Sequence, residues 1–325
     1  MNLIGIDIGG TKCAVILGHM SYGGDIEVLD KLVYATSDQP SPDRMLPTLQ
    51  NGIKEILKKQ HLTSKDIGSI GISCGGPLDS IRGVVMSPPN LPGWNEVHIV
   101  EFFENQFSIP AALQNDANAC ALAEWKFGAG RGTRNMIFLT FGTGLGAGLI
   151  LDGKLYSGTN DNAGEVGHIR LDNFGPVGYG KAGSFEGFCS GGGIAQLARI
   201  RAMEKLQMGE KVTYCDGIMD LQSITAQRVA EAANNGDQSA IQVFETCGTY
   251  LGKGLSVLID ILNPECIVLG SIYIRASHLL IPSLEKTLTI ESLPLARKVC
   301  RIVPAEMDEK IGDIASLSVA ANKLQ

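Results

Sequence analysis

Two segments of this chain repeat one pattern: an apolar run, a glycine turn and a second apolar run. They are LIGIDIGGTKCAVILG (3–18) and MIFLTFGTGLGAGLILDGKLYSG (136–158). Short β-rich runs on either side of a Gly pair predict strand, turn, strand. The copies lie about 130 residues apart, too far for a solenoid repeat, and point to two related α/β halves. An Asp-Gly hairpin signal at Asp152 and Gly153 closes the second copy.

The second turn, GTGLGA (142–147), formally fits the dinucleotide fingerprint G-x-G-x-x-G/A. That fingerprint needs a helix directly after the turn, because the pyrophosphate rests on the helix N-terminus. Here an alternating hairpin, GLILDGKLY, follows, so the dehydrogenase reading fails on context. The alternative is a pair of hairpin turns whose backbone N–H groups face a polyphosphate, with Gly allowing close approach. Either turn alone reads as an ordinary hairpin; together they favour a nucleotide. Gly9 and Gly10 shape the first turn, beside Asp7 for a metal or its water shell, Thr11 as donor and Lys12 as cation. Gly142, Thr143 and Gly144 form the second.

Between and after these copies the pattern continues as α/β. Helical spacing appears at 45–62, 191–206, 223–234, 237–262 and 311–324, and buried strands at 67–79, ending in a Gly-Gly-Pro turn, and at 263–272. PPNLPGWN (88–95) is an irregular loop, since three Pro and a Gly exclude helix or central strand. A short strand to Gln114 runs into a helix from about Asn115, with Gly128 as its stop. A chain of 325 residues, 44% hydrophobic and 19% charged, can bury two cores without staples. The net charge of −7, without a dense Lys/Arg run, argues against non-specific nucleic-acid binding. No apolar run reaches membrane-spanning length, and MNLIGIDIGG lacks the features of a signal peptide. The eight Cys include no CxxC pair and read as buried thiols of a reducing, cytoplasmic compartment.

GIDIGGTK, PPNLPGWN, QNDANACALAE, LTFGTGLGAGLILDGKLYSG and AGEVGHI, in this order, resemble the ROK family of sugar kinases and repressors. The resemblance runs from Asp7 to the IGDIASLSVAA tail (311–321). It implies an α/β, actin/hexokinase-like (ribonuclease H-like) ATPase fold, two lobes with mixed sheets around a central cleft. The implied N-terminal lobe is 1–115 plus about 303–325; the C-terminal lobe, 116–302, carries the nucleotide and oligomer side. It further implies phosphoryl transfer from ATP, with Mg²⁺, to a hexose hydroxyl, usually C6, by a protein commonly dimeric.

By this resemblance Asp116 is the general base that takes the proton from the sugar hydroxyl. Its place at a strand-to-helix junction suits that role, because a carboxylate there stays ionised. Asn115 hydrogen-bonds sugar hydroxyls beside it, and Gly76 and Asn90 sit in the two loops that line the sugar pocket. Glu165 grips further ring hydroxyls, or is a solvated loop acid. Gly270 and Ser271 match the family's LGG turn beside adenine and ribose, with Ser for the second Gly; a strand-end turn also stands without a ligand.

One stretch departs from the family. VGYGKAGSFE (177–186) keeps the frame of Cys-x-Cys-Gly-x-x-Gly-Cys-x-Glu but has Val177, Tyr179 and Ser184 at the Cys positions. The three thiolates and the His of GEVGH hold a structural zinc in the family. Only His168 remains here, so zinc is expected to be absent. Packing of Val177, Tyr179 and Phe185 is expected to replace it. His168 is then free to donate to sugar, or serves only structure, and Glu186 still reaches the anomeric hydroxyl.

The expected activity is ATP-dependent phosphorylation of glucose or a related hexose in a cytoplasmic homodimer. The alternatives are a kinase of N-acetylglucosamine or N-acetylmannosamine, and a catalytically silent sugar-binding or regulatory protein. Repressor function is not expected, because Asp7 lies too near the start for a DNA-binding domain.

Overall fold

The computed structural model describes residues 1–307 and 310–324. The chain divides into two compact units: 1–134 with 148–163 and 306–325, and 135–147 with 164–305. The first unit is built on strands β1 (Asn2–Ile8), β2 (Lys12–Met20), β3 (Ile26–Ala35), β4 (Ile67–Cys74) and β5 (Ala111–Asn115), in the sheet order β3-β2-β1-β4-β5. β1 to β3 form an antiparallel meander, while β1–β4 and β4–β5 are parallel. β1 and β4 are buried along nearly their whole length, so they read as continuous apolar runs rather than alternating ones.

The second sheet contains β6 (Met136–Phe141), β7 (Leu145–Leu151), β8 (Lys154–Tyr156), β9 (Cys266–Leu269) and β10 (Arg301–Pro304), in the order β8-β7-β6-β9-β10. β7 and β8 are antiparallel; β6–β9 and β9–β10 are parallel. Each sheet thus runs third, second, first, fourth, fifth strand. The repeated sequence pattern supplies the first two strands each time, and Asp152 and Gly153 take positive φ at the second hairpin. Because β7 and β8 follow the GTGLGA turn, the dinucleotide fold is excluded by the structure as well.

In the first unit, helix α1 (Pro42–Lys59) lays Leu49, Ile53, Ile56 and Leu57 into the core with Ile4, Ile6, Ile70 and Ile72. Each such side chain contributes about 2 kcal/mol by leaving water. The division differs from the one drawn from sequence at 115. Helix α2 (Asp116–Phe127) groups with the first unit because the C-terminal helix α6 (Ile311–Lys323) packs on it and on β1 and β4. Glu124, fully buried on α2, accepts hydrogen bonds from the Glu306 and Met307 N–H groups as the chain returns. The second unit holds α3 (Gly191–Gln207), α4 (Gln238–Leu262) and α5 (Ile272–Glu291). All eight Cys are free thiols, seven of them buried. No helix among the described residues is long and apolar enough to cross a membrane.

Candidate active site

The candidate residues fall into two groups, one in each unit. In the first, β1 ends at Asp7 and turns through Gly9 and Gly10. The turn is braced by Gly9 N–H donating to Lys12 O (3.0 Å) and by the Thr36 hydroxyl donating to Gly9 O (2.7 Å). Thr11 and Lys12 are exposed. The loop 88–95, anchored by buried Leu91 and Trp94, lies over this turn. A Cβ at Gly10 would stand 2.8 Å from Asn90 O, so only Gly fits there. The structure therefore brings Asn90 to the Asp7 turn, where it lines a shallow pocket with Gly10, Thr11 and Thr36.

Asn115 and Asp116 sit where β5 becomes α2. The Asn115 side chain caps the helix by accepting from Ala117 N–H (2.9 Å), and the Asp116 carboxylate accepts from the same N–H (2.8 Å). The Asn115 amide lies beside Gly76. Burial acts against the charge of Asp116. Solvent reaches it, yet the protein around it is dense, and that desolvation lifts its carboxyl above the usual range; the N–H groups of Ala117 and Asp116 oppose the rise.

Asp7 is perturbed as well. Desolvation, then repulsion from Asp313 and Asp116, pushes its carboxyl up to about 6, against the opposing pull of Lys12 and Lys31. Asp313 is a residue the sequence reading did not single out. It arrives on the first turn of α6 and pairs with Lys31 of β3 at 2.6 Å. Its neighbour Gly312 lies against the Asp7 carboxylate. The tail was legible as a helix, but nothing in its spacing says that its first turn meets Asp7.

In the second unit, Gly142, Thr143 and Gly144 form the turn between β6 and β7. Gly142 N–H donates to Gly144 O (3.1 Å), and Leu145 N–H donates to the Glu186 carboxylate (3.0 Å). Ser271 lies beside Gly142. It caps the end of the strand at Gly270 with φ 51° and ψ −104°, a conformation natural to Gly and strained for Ser. A pocket of about 540 Å³ opens next to it, lined by Ile272, Arg275, Ala276, Phe244, Gln227 and Asn234 among others. The N-terminus of α3 also reaches this turn, with Gly191 N–H donating to Gly142 O (2.8 Å) and Ser190 capping through Gly193 N–H. The sequence reading missed Ser190–Gly193 as part of the site, although CSGGG at a helix start was the available signal.

Glu165 and His168, both exposed, bracket a short turn at Val166–His168. That turn packs on Glu186: a Cβ at Gly167 would lie 2.2 Å from Leu145 O and 3.2 Å from the Glu186 Cβ. Thus the structure brings Glu186, the Thr143 turn and the His168 turn together.

The loop at 177–186 corrects one expectation. Phe185 is fully buried, but Val177 is 47% and Tyr179 77% exposed, so the three do not pack as a cluster. Val177 and Tyr179 stand on a small hairpin, Val177–Gly178 with Lys181–Ala182, which turns both outward. Tyr179 instead meets the His168 ring edge-on at 5.5 Å. Ser184 is buried and caps the helix Phe185–Phe188 by accepting from Gly187 N–H. Among the described residues no group of three His, Cys, Asp or Glu side chains is arranged to hold a metal.

The ROK family model matches residues 3–322. A glucokinase of Halalkalibacterium halodurans is 30% identical over 294 residues, 90% of this chain and 86% of that protein. The transcriptional regulator NagC of Escherichia coli is 28% identical over 87% of this chain and 68% of its own length. Among solved structures, a ROK family glucokinase from Streptomyces griseus, in complex with glucose and AMPPNP, superposes with a TM-score of 0.74 at 28% identity over 99% of this chain and 100% of that one. The paired mixed sheets are those of the actin- and hexokinase-like ATPase fold. With the family pattern spanning all but the extreme ends of the sequence, the chain belongs to the ROK family.

Proposed function

We propose that the chain is an ATP-dependent sugar kinase that phosphorylates a hexose hydroxyl, C6 of glucose or a close relative, with Asp116 as general base. The observation that carries this reading is the nearness of Asp116, at the start of α2, to Asp7, at the end of β1: the Asp116 charge is one of those that raise the Asp7 carboxyl. Perturbed acids at strand ends and helix starts are where phosphoryl-transfer chemistry is built.

The roles follow from the local geometry. Phosphoryl transfer runs through a loose transition state, so aligning the sugar oxygen matters more than basicity. Asp116 accepts the hydroxyl hydrogen and takes the proton late; its raised proton affinity suits that step. Asn115 and Gly76 stand beside it for neighbouring hydroxyls. Within the second unit, Glu165, His168 and Glu186 gather around the Thr143 turn, with polar atoms suited to sugar hydroxyls. In the second unit, the α3 N-terminus beside the Thr143 turn offers N–H donors suited to phosphate oxygens. The pocket after Ser271 offers an apolar wall, Ile272 and Phe244, with polar edges suited to a purine.

Mg²⁺ fits this donor set. It takes oxygen ligands, commonly one or two carboxylates completed by phosphate and water, and a cation near Asp7 would relieve the repulsion from Asp313 and Asp116. When bound, it supplies charge neutralisation on the phosphates. The protein's own part is to hold Asp7, Lys12 and Thr11 at the turn.

A relative named N-acetylglucosamine repressor, from Escherichia coli O6:H1 and 28% identical over 289 residues, keeps an N-acetylated amino sugar as the second substrate reading. The test is a coupled ADP-release assay over glucose, mannose, fructose, allose, N-acetylglucosamine and N-acetylmannosamine, for wild type and Asp116→Asn. Turnover should fall by about a hundredfold or more while calorimetry still reads sugar binding. Near-normal turnover in Asp116→Asn rejects the base; binding without turnover on every sugar in the wild type favours a silent sugar-binding protein.

A further inference from the structure

The loop that carries Glu186 is held by side chains on two neighbouring helices. The Tyr250 hydroxyl, on α4, donates to the Asp172 carboxylate at the start of the segment 172–188. The Tyr250 ring stacks on Phe188 at its end, with ring centres 3.4 Å apart and planes 2° from parallel. Lys253 lies over the same ring system at 4.6 Å. One aromatic side chain thus ties both ends of the segment, with Glu186 two residues before the stacked Phe188. The middle is fixed independently by Gln196 of α3. Its amide donates to Val177 O and accepts from Val177 N–H, both at 2.9 Å. Gly183 O accepts from Leu171 and Asp172 N–H, which closes the base of the loop.

We propose that Tyr250, assisted by Gln196, is a positioning residue that sets where the Glu186 carboxylate stands and so tunes affinity for the sugar. The proposal rests on the sugar-kinase reading above. Its physical basis is that an exposed hairpin bearing Val177 and Tyr179 buries too little apolar area to hold itself. Hydrogen bonds and a stacked ring at the loop's two ends restrict it instead. Glu186, already bonded to Leu145 N–H, then keeps its second oxygen at a fixed place. Removing the tie leaves every group present but spreads Glu186 over several positions, and the sugar must select among them.

The experiment compares Tyr250→Phe, which keeps the stack, with Tyr250→Leu, which loses both contacts, alongside Gln196→Ala, Glu186→Ala and the double variant Glu186→Ala/Tyr250→Leu. Hexose kcat and KM are read by ADP release, and sugar binding by calorimetry. Tyr250→Leu should raise sugar KM about tenfold with kcat within about twofold, and Tyr250→Phe by about threefold. Asp172→Asn keeps an acceptor for the Tyr250 hydroxyl and should recover part of the affinity lost in Asp172→Ala. The double variant should bind sugar no worse than Glu186→Ala alone, because Tyr250 acts through Glu186. Additive losses in the double variant, or an unchanged sugar KM in Tyr250→Leu, overturn the assignment. Wild type without turnover on any hexose instead sinks the kinase reading on which it stands.

Discussion

Asp7→Asn should make this protein more stable at neutral pH and less active, and the pH dependence of the gain is set by the site. Folding raises the Asp7 carboxyl from 3.8 to about 6, first by desolvation and then by repulsion from Asp313 and Asp116. That rise corresponds to about 3 kcal/mol of cost for holding the charge in the folded state. Below about pH 4 the group is protonated in both states, so Asn matches it and the variant gains little. As pH climbs, the unfolded chain ionises first while the folded site resists until about 6. Stability is lost from the wild type through that window, and the variant keeps it. At pH 7.5 the full difference of up to about 3 kcal/mol should appear in urea unfolding followed by circular dichroism. Comparing the two proteins at each pH cancels the titration of the shared groups that do not interact with Asp7. A gain of equal size at pH 4 and pH 7.5, or a loss at pH 7.5, would show that Asp7 does not carry this strain.

Ser271→Gly should raise stability by about 1 kcal/mol, read by thermal unfolding, because Ser holds a backbone conformation at φ 51° that Gly adopts freely. Gly167→Ala should raise sugar KM by about tenfold or more in the ADP-release assay, since the added methyl collides with Leu145 O and displaces the turn carrying His168 and Glu165 from Glu186. Glu124→Ala should cost about 3 kcal/mol in urea unfolding, because the N–H groups of Ala129, Glu306 and Met307 lose their buried acceptor.

The duplicated hairpin and the helix stops were legible because local chemistry determines them. Gly pairs between β-rich runs, Asp152 with Gly153, Asn115 as cap and Gly128 as terminator each act over a few residues. The Asp116 position followed from the same junction. Features built by tertiary packing were harder to read. β3 alternates only loosely in burial at a sheet edge, and α5 is blurred by Pro282 and by a non-helical turn at Ala276. The boundary at 115 differed because α2 is assigned to its unit by α6, which arrives almost two hundred residues later, and no local signal near Asp116 announces that partner. The zinc-loop reading inferred apolar packing from residue type. Val177 and Tyr179 are apolar enough to bury, but a two-residue strand pairing at Val177–Gly178 exposes them. Polar contacts from Gln196 and Tyr250 hold the loop, and both are distant in sequence.

The two sheets share a strand order but not a charge distribution at their first turns, and the difference bears on what each turn is for. The turn after β1 carries its own ions, Asp7 and Lys12, and a third, Asp313, is delivered to it by α6. Its carboxylates repel, so the site stores unfavourable charge that a bound cation would relieve. The turn after β6 has no ionisable residue of its own; Glu186, from far along the chain, accepts the Leu145 N–H. That bond removes one amide from the set available to a phosphate and fixes one oxygen of a carboxylate suited to sugar hydroxyls. A strong acceptor placed there discourages further phosphate contact at the same amide, by like-charge repulsion. With the Gly142 N–H donating to Gly144 O and the Leu145 N–H to Glu186, an anion at the second turn would, on the proposed reading, be met at Thr143 and the start of α3. The two turns of a duplicated fold thus differ in charge: one gathers carboxylates around its own Asp7, and the other borrows a single carboxylate from a distant loop.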